Sequence, residues 1–226
     1  MTPQKTSSPS LKTRKTPQGP VRNKERTKQN LLRAVGKILA KEGYTGLTAL
    51  KIASTAKVDR KLIYLYFGSL EKLIERYFDE NDFWEPSYNQ YIASLLTSQK
   101  APSEQDILAI LKGQLNNTMN NKAFQKSILW EISEKNKVTR KVSDKREELG
   151  RELFERTDKL FKGSKVDLRA TVALQIAGIY YLSLHAEVNG STFCGIDINQ
   201  PKGKRRIEKA LQQILRDTYA KVNIKK

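Results

Sequence analysis

The sequence predicts an all-α protein, with an N-terminal three-helix helix-turn-helix head followed by a larger helical body. Three observations lead to the helical class. Apolar residues recur at helical spacing in segment after segment from about Lys24 onward, no stretch sustains the alternation of a strand, and Gly, Pro and Asn mark the breaks. A length of 226 residues suits two domains, the second large enough to bury a core of its own.

Residues 1–22 mix Pro, Ser, Thr, Gln and Lys with almost no large apolar side chains. Burial there cannot offset the entropy of ordering, and a disordered basic arm is expected. The head spans 23–68. From about Lys24, Leu31, Leu32, Val35, Ile38 and Leu39 keep one helical face, and Gly43 stands where a C-terminal cap belongs. Thr48 is placed as N-cap of a second helix running to about Thr55, and Asp59 as N-cap of a third beginning at Arg60. Between Thr48 and Phe67, the residues Leu50, Ile52, Ala53, Val58, Ile63 and Phe67 are the expected core, while Lys51, Lys57, Arg60, Lys61, Tyr64 and Tyr66 are left outside. Two short helices crossed by a tight turn and edged with base have the form of a DNA-reading helix-turn-helix.

The body is expected over 69–226. Leu70, Leu73, Ile74, Tyr77 and Phe78 give a connecting helix with one apolar face. Helices follow at about 86–98, 103–117, 121–135 and 139–162, separated by Pro86, Pro102, the Asn-rich 116–121 and Gly163-Ser164. Between Arg169 and His185 there is no charge, so a helix through ATVALQIAGIYYLSL must be covered on more than one side. A final helix, about 204–222, carries Ile207, Leu211, Ile214, Leu215 and Val222 in one stripe. Packed against their copies, these two helices make a homodimer through an intersubunit four-helix bundle; the alternative is a monomer in which the apolar helix is central.

Charge points to the partner. Of the formal +18, residues 1–67 contribute +12, from 15 Lys and Arg against Glu25, Glu42 and Asp59. Such a surplus on the end that carries the helix-turn-helix implies a polyanion, double-stranded DNA, rather than a merely solvated basic tail. A single cysteine, Cys194, excludes an intrachain disulfide and fits a reducing compartment. The N-terminus offers no apolar run for a signal peptide, and the longest uncharged stretch, Ala170 to Leu184, falls short of a bilayer span. A cytoplasmic protein with no membrane partner is expected.

Gly43-Tyr44, Thr48, Ile52-Ala53, Val58, Ile63-Tyr64 and Tyr66-Phe67, followed by Ser69, Glu71 and Leu73, together resemble the head of the TetR/AcrR family of bacterial transcriptional repressors over about residues 26–78. The resemblance implies a ligand-responsive repressor that binds a palindromic operator as a homodimer and takes an unknown small-molecule effector in its body. It assigns phosphate contacts to Thr48, Tyr64 and Tyr66, with packing the alternative for both tyrosines and an equal role for Tyr66. It places Arg60 and Lys61 in the major groove, where the Arg60 guanidinium suits guanine O6 and N7. Three positions depart from the family pattern. Lys57 replaces a turn glycine, so a non-glycine adopts the turn conformation or the turn differs. Leu62 replaces a small or hydroxylated residue and exchanges a polar contact for a thymine methyl. Leu70 replaces a phosphate-touching lysine, leaving Lys72 or the Ser69 hydroxyl as substitutes. Lys5, Lys12, Arg14, Lys15, Arg22, Lys24 and Arg26 of the arm suit phosphates or an adjacent minor groove.

Wall candidates for an effector cavity are Phe83, Trp84, Tyr88, Tyr91, Phe124, Trp130, Tyr180 and Tyr181, each with core packing as the alternative. Glu131 suits a cationic ligand if it faces inward. His185, Cys194 and Glu187 hold the elements of a nucleophile and base, but their spacing gives no triad, phosphate loop or metal motif. No enzyme, cofactor or metal is expected. The rival reading is a basic nucleic-acid-binding protein without effector control.

Overall fold

The computed structural model of the protein describes residues 20–81, 86–98, 100–190 and 192–223, with the backbone alone at 20–22, 86–88 and 223. Among these residues lie ten α-helices: α1 (Pro20–Glu42), α2 (Ala49–Ala56), α3 (Lys61–Phe67), α4 (Leu70–Glu80), α5 (Pro86–Thr97), α6 (Glu104–Asn120), α7 (Lys122–Ser133), α8 (Lys137–Phe161), α9 (Leu168–Asn189) and α10 (Pro201–Asn223). The all-α class holds. An antiparallel bridge between Phe193 and Ile196 closes a two-residue turn in the loop before α10. No helix among the described residues is long and apolar enough to cross a membrane.

Local chemistry sets the helix ends. α1 starts at Pro20 rather than near Lys24, so residues 20–22 of the expected arm are helical. Proline is tolerated at the first helical position because the N–H it lacks would have no partner there. Residues 1–19 of that arm lie outside the described residues. α1 stops at Gly43 (φ 75°), whose N–H donates to the Leu39 carbonyl at 3.0 Å. Thr48 Oγ1 accepts the Lys51 N–H at 3.3 Å, and Asp59 Oδ1 accepts the Lys61 N–H at 2.7 Å. Each such cap is worth about 1 kcal/mol.

Between the two caps Lys57 takes the left-handed conformation (φ 56°, ψ 48°). Its N–H donates to Ser54 at 3.1 Å and that of Val58 to Ala53 at 3.0 Å, so α2 closes in a Schellman motif without glycine. The left-handed lysine costs about 1–2 kcal/mol, and the turn keeps its shape.

The core of the head joins Leu31, Val35 and Leu39 of α1 to Ile52 and Ala53 of α2, Ile63 of α3, and Leu73 and Tyr77 of α4. Leu50 does not belong to it, contrary to the sequence expectation: it is 70% exposed. Ile52, Ala53 and Ala56 mark the inner side of α2, and position 50 falls roughly 200° from Ile52 around the helix. This core also runs on into the body. Trp130 of α7 and Val138 of α8 are buried in the same cluster, and the Trp130 ring lies on that of Tyr44, centroids 5.4 Å apart and planes within 2°.

The body's own core gathers Ile107, Leu111 and Leu115 of α6, Ile179 of α9, and Leu211 and Leu215 of α10. Ser103, Asn121, Asn136 and Asp167 cap α6, α7, α8 and α9, each by a side-chain oxygen that accepts an amide of the first turn. At the other end of α5, Arg156 of α8 donates to the carbonyls of Leu95 and Leu96, both at 2.6 Å, and of Ser98. One guanidinium thus closes carbonyls that a helix end leaves unpaired. Gly203 admits the preceding loop, since a Cβ there would meet the Asp197 carbonyl oxygen at 1.8 Å.

Candidate nucleic-acid interface

α3 buries Ile63 in the head and turns its opposite side outward. Arg60, Lys61, Tyr64 and Leu65 are all exposed, Leu65 at 71%. Positions 61, 64 and 65 share a helical face, so two cations lead into an aromatic and an aliphatic side chain on one short surface. Lys51, by contrast, is tied to Glu42 of α1. Leu62 and Tyr66 are half-buried, and Lys24 Nζ lies 5.7 Å from the centroid of the Tyr66 ring.

Thr48 and Ser69 flank this surface at the starts of α2 and α4. Their hydroxyl oxygens accept the N–H groups of Lys51 and Lys72, the latter at 3.0 Å. A hydroxyl that accepts on one lone pair still has its O–H to donate. The Thr48 N–H already donates to the Gly46 carbonyl at 2.8 Å, so an anion at this helix start meets the hydroxyl and the first-turn amides of Ala49 and Leu50 instead. Leu65 was not singled out by the sequence reading. The signal was present, because Ile63 and Phe67 define the inner side of α3 and place position 65 opposite them.

The aromatic residues proposed as effector walls do not all gather in one place. Phe124 and Tyr180 meet edge to face at 6.1 Å. Trp130 packs into the head's core, its Nε1 donating to Glu134 Oε1 at 2.8 Å. Tyr91 donates to Asp106 Oδ1 at 2.7 Å, and burial together with that carboxylate pushes its hydroxyl up to about 12. Tyr181 is 54% exposed, lying on His185 at 5.8 Å and against Phe193 at 5.0 Å. Phe83, Trp84 and the Tyr88 side chain lie outside the described residues. Glu187 pairs with Lys122, and Cys194 is exposed at its turn.

Around Phe124 and Tyr180 stands a polar group that sequence reasoning missed. Gln114 of α6 donates to the Tyr180 hydroxyl, and Arg146 of α8 pairs with Glu131 of α7. The Arg146 guanidinium carbon lies 5.9 Å from the Phe124 centroid. Burial holds the Tyr180 hydroxyl above its ordinary value. Glu131 does face inward, but Arg146 meets its charge. Asn117 Nδ2, Gln125 Oε1, Arg146 Nη1 and Ser183 Oγ are buried without a hydrogen-bond partner among the described residues. Buried polar atoms are nearly always satisfied, so several unsatisfied ones in one bundle need a cause. Gln114, Asn117 and Thr118 were visible as interruptions of the apolar face of α6; Arg146 was hidden in the charged run of α8.

The model of the bacterial regulatory proteins of the TetR family matches residues 27–77. The HTH-type transcriptional repressor NicS of Pseudomonas putida is 47% identical over 49 residues, 22% of this chain and 23% of that protein's length. Solved structures are similar across the body as well. A TetR-family transcriptional regulator from Streptomyces coelicolor superposes with a TM-score of 0.59 at 18% identity, covering 86% of this chain and 97% of the other. The regulator FadR from Bacillus subtilis, in complex with stearoyl-CoA, does so with 0.53 at 16% identity, covering 83% and 96%. At these identities the structural likeness speaks for the fold. Residues 27–77, with their capped helices and Schellman turn, thus carry a head of the type shared by the TetR family of bacterial regulatory proteins.

Proposed function

We propose that the protein is a transcriptional repressor that reads a two-fold symmetric DNA site as a homodimer and releases it when a small molecule binds the body. The observation that carries the reading is the outward face of α3, where Arg60, Lys61, Tyr64 and Leu65 stand exposed between hydroxyl-capped helix starts at Thr48 and Ser69. Arg60 and Lys61 at the helix start suit base edges, and Leu65, more open than Leu62, suits a thymine methyl. Thr48, Tyr64 and Ser69 suit phosphates on the groove's flanks, with Lys72 beside Ser69 and Tyr66 beneath Lys24 as further contacts. Residues 1–19 supply further cations for the same polyanion.

Two features support the dimer and the effector. Leu174, Tyr181 and Val188 of α9 are exposed at seven-residue intervals, an apolar stripe suited to a second copy. The buried polar group around Arg146 offers a place for a ligand, and the FadR structure holds stearoyl-CoA. Selection of bound sequences from random DNA tests the whole reading. A short palindrome is expected, and Arg60→Ala should lower its preference over random DNA by about 1–3 kcal/mol. Equal binding to all sequences would instead favour a basic nucleic-acid-binding protein without effector control.

A further inference from the structure

We infer that Arg146, with Tyr180 and Phe124, is the head-group site of the effector, and that the effector is a small monocarboxylate with an apolar body. The inference rests on the effector reading above and names the ligand's chemistry. Arg146 presents a planar fork of donors, a shape that matches a carboxylate. Nη2 is engaged by Glu131, while Nη1 is buried with no acceptor among the described residues. A cationic N–H in that state is costly, and an incoming oxyanion supplies what it lacks.

The neighbours complete the chemistry. The Tyr180 oxygen accepts from Gln114 and lies within hydrogen-bonding reach of the Arg146 guanidinium, so its own O–H is left to donate to the ligand's second oxygen. The Phe124 ring lies beneath the guanidinium, and Ile128 and Leu184 pack beside it, giving an apolar wall for the rest of the molecule. One turn along the two facing helices, Asn117 and Ser183 carry further unpaired polar atoms. A cationic ligand fits less well, because Glu131 is already taken by Arg146. A dianion fits less well too: one guanidinium, half engaged by Glu131, would leave a second buried negative charge uncompensated.

The experiment uses the full chain and paired probes, benzoate, phenylacetate and octanoate, each against its primary amide. Binding is read by calorimetry and operator release by fluorescence anisotropy. At least one acid should bind about tenfold or more tighter than its amide, the range expected for a charge-assisted pair. Arg146→Gln should abolish that preference while the protein still melts cooperatively and holds its operator. Glu131→Gln, which removes the competing carboxylate, should tighten the acid. Acids and amides that bind alike, a preference that survives Arg146→Gln, weaker acid binding in Glu131→Gln, or no binding by any acid at millimolar concentration would each overturn the assignment. An amide that binds and releases operator overturns the carboxylate chemistry but leaves the effector reading standing. An acid that binds through Arg146 yet never alters operator affinity supports this site and overturns the effector reading.

Discussion

Lys145 and Arg146 are consecutive on α8 and pair in different directions, Lys145 with Asp79 of α4 at the head and Arg146 with Glu131 of α7 inside the body. Lys141, one turn earlier, also reaches Asp79, at 3.6 Å. A helix is stiff over one turn, so under the proposed effector reading a displacement of Arg146 would be delivered to α4 through these lysines. α4 packs on α3 through the shared core, which would carry it on to the exposed face with Arg60 and Lys61.

Asp79→Asn tests that route. Both partners are part-exposed, so the loss in folding stability should stay within about 1 kcal/mol. Operator affinity without ligand should stay near that of the parent, while the weakening caused by a ligand should shrink severalfold. Anisotropy titrations with and without ligand give the ratio directly. An unchanged ratio would mean that α8 does not signal through Asp79.

The same carboxylate sets a pH dependence. The hydrogen bond from Lys145, then the charges of Lys145 and Lys141, hold the Asp79 carboxyl below its ordinary value of 3.8. A group whose folded pKa is depressed adds stability that is fully present above the unfolded value and is lost as pH falls through the folded one. The stability difference between the parent and Asp79→Asn should therefore be flat from about pH 8 to 5 and close only in acid below 3.8. Urea denaturation across that range measures it, and a difference that already closes near neutral pH would rule out the clasp as its source.

Trp130 is a second joint between the two parts. It is buried against Tyr44 and Phe78, with the Phe78 ring 6.3 Å away, so its removal opens the seam rather than one domain. Trp130→Ala should cost about 3–5 kcal/mol in urea denaturation. In a double-mutant cycle with Tyr44→Ala the coupling should be about 0.5–1.5 kcal/mol. Additive losses would show that the stacked geometry carries no energy of its own.

What was legible in the sequence was what neighbouring residues decide. Gly43, Thr48 and Asp59 announced their caps, because each acts on amides within a few positions, whereas Lys57 left two turn geometries open and takes the left-handed one. Leu50 misled because composition does not say which side of an eight-residue helix faces in; only Ile52, Ala53 and Ala56 taken together do. Trp130 was open between ligand wall and core packing; it packs on Tyr44, a partner too far away in sequence for any local pattern to name. The Arg146 site was the least legible. Its members come from α6, α7, α8 and α9, and a run of alternating charges on α8 gives no hint that one arginine turns inward.

The proposed seam between copies gives the last prediction. Leu174, Tyr181 and Val188 are 75%, 54% and 61% exposed and lie on one stripe of α9 about 21 Å long. Gly178 stands in the same stripe, with nothing among the described residues within 4 Å of where a Cβ would be. The Gln175 side chain donates to the Leu211 carbonyl at 3.1 Å, a tie between α9 and α10, and Ile214 of α10 is exposed too. A stripe of this kind pairs with itself about a two-fold axis, each side chain meeting the partner's stripe. Leu174→Glu with Val188→Glu places four carboxylates in that contact. Sedimentation should then show monomers, with helicity and melting of the separate chain little changed because both positions face outward already. Operator affinity should fall by at least about a hundredfold, since two linked heads gain that much over one. A variant that stays dimeric places the seam elsewhere, and one that unfolds makes these side chains part of the monomer's own core.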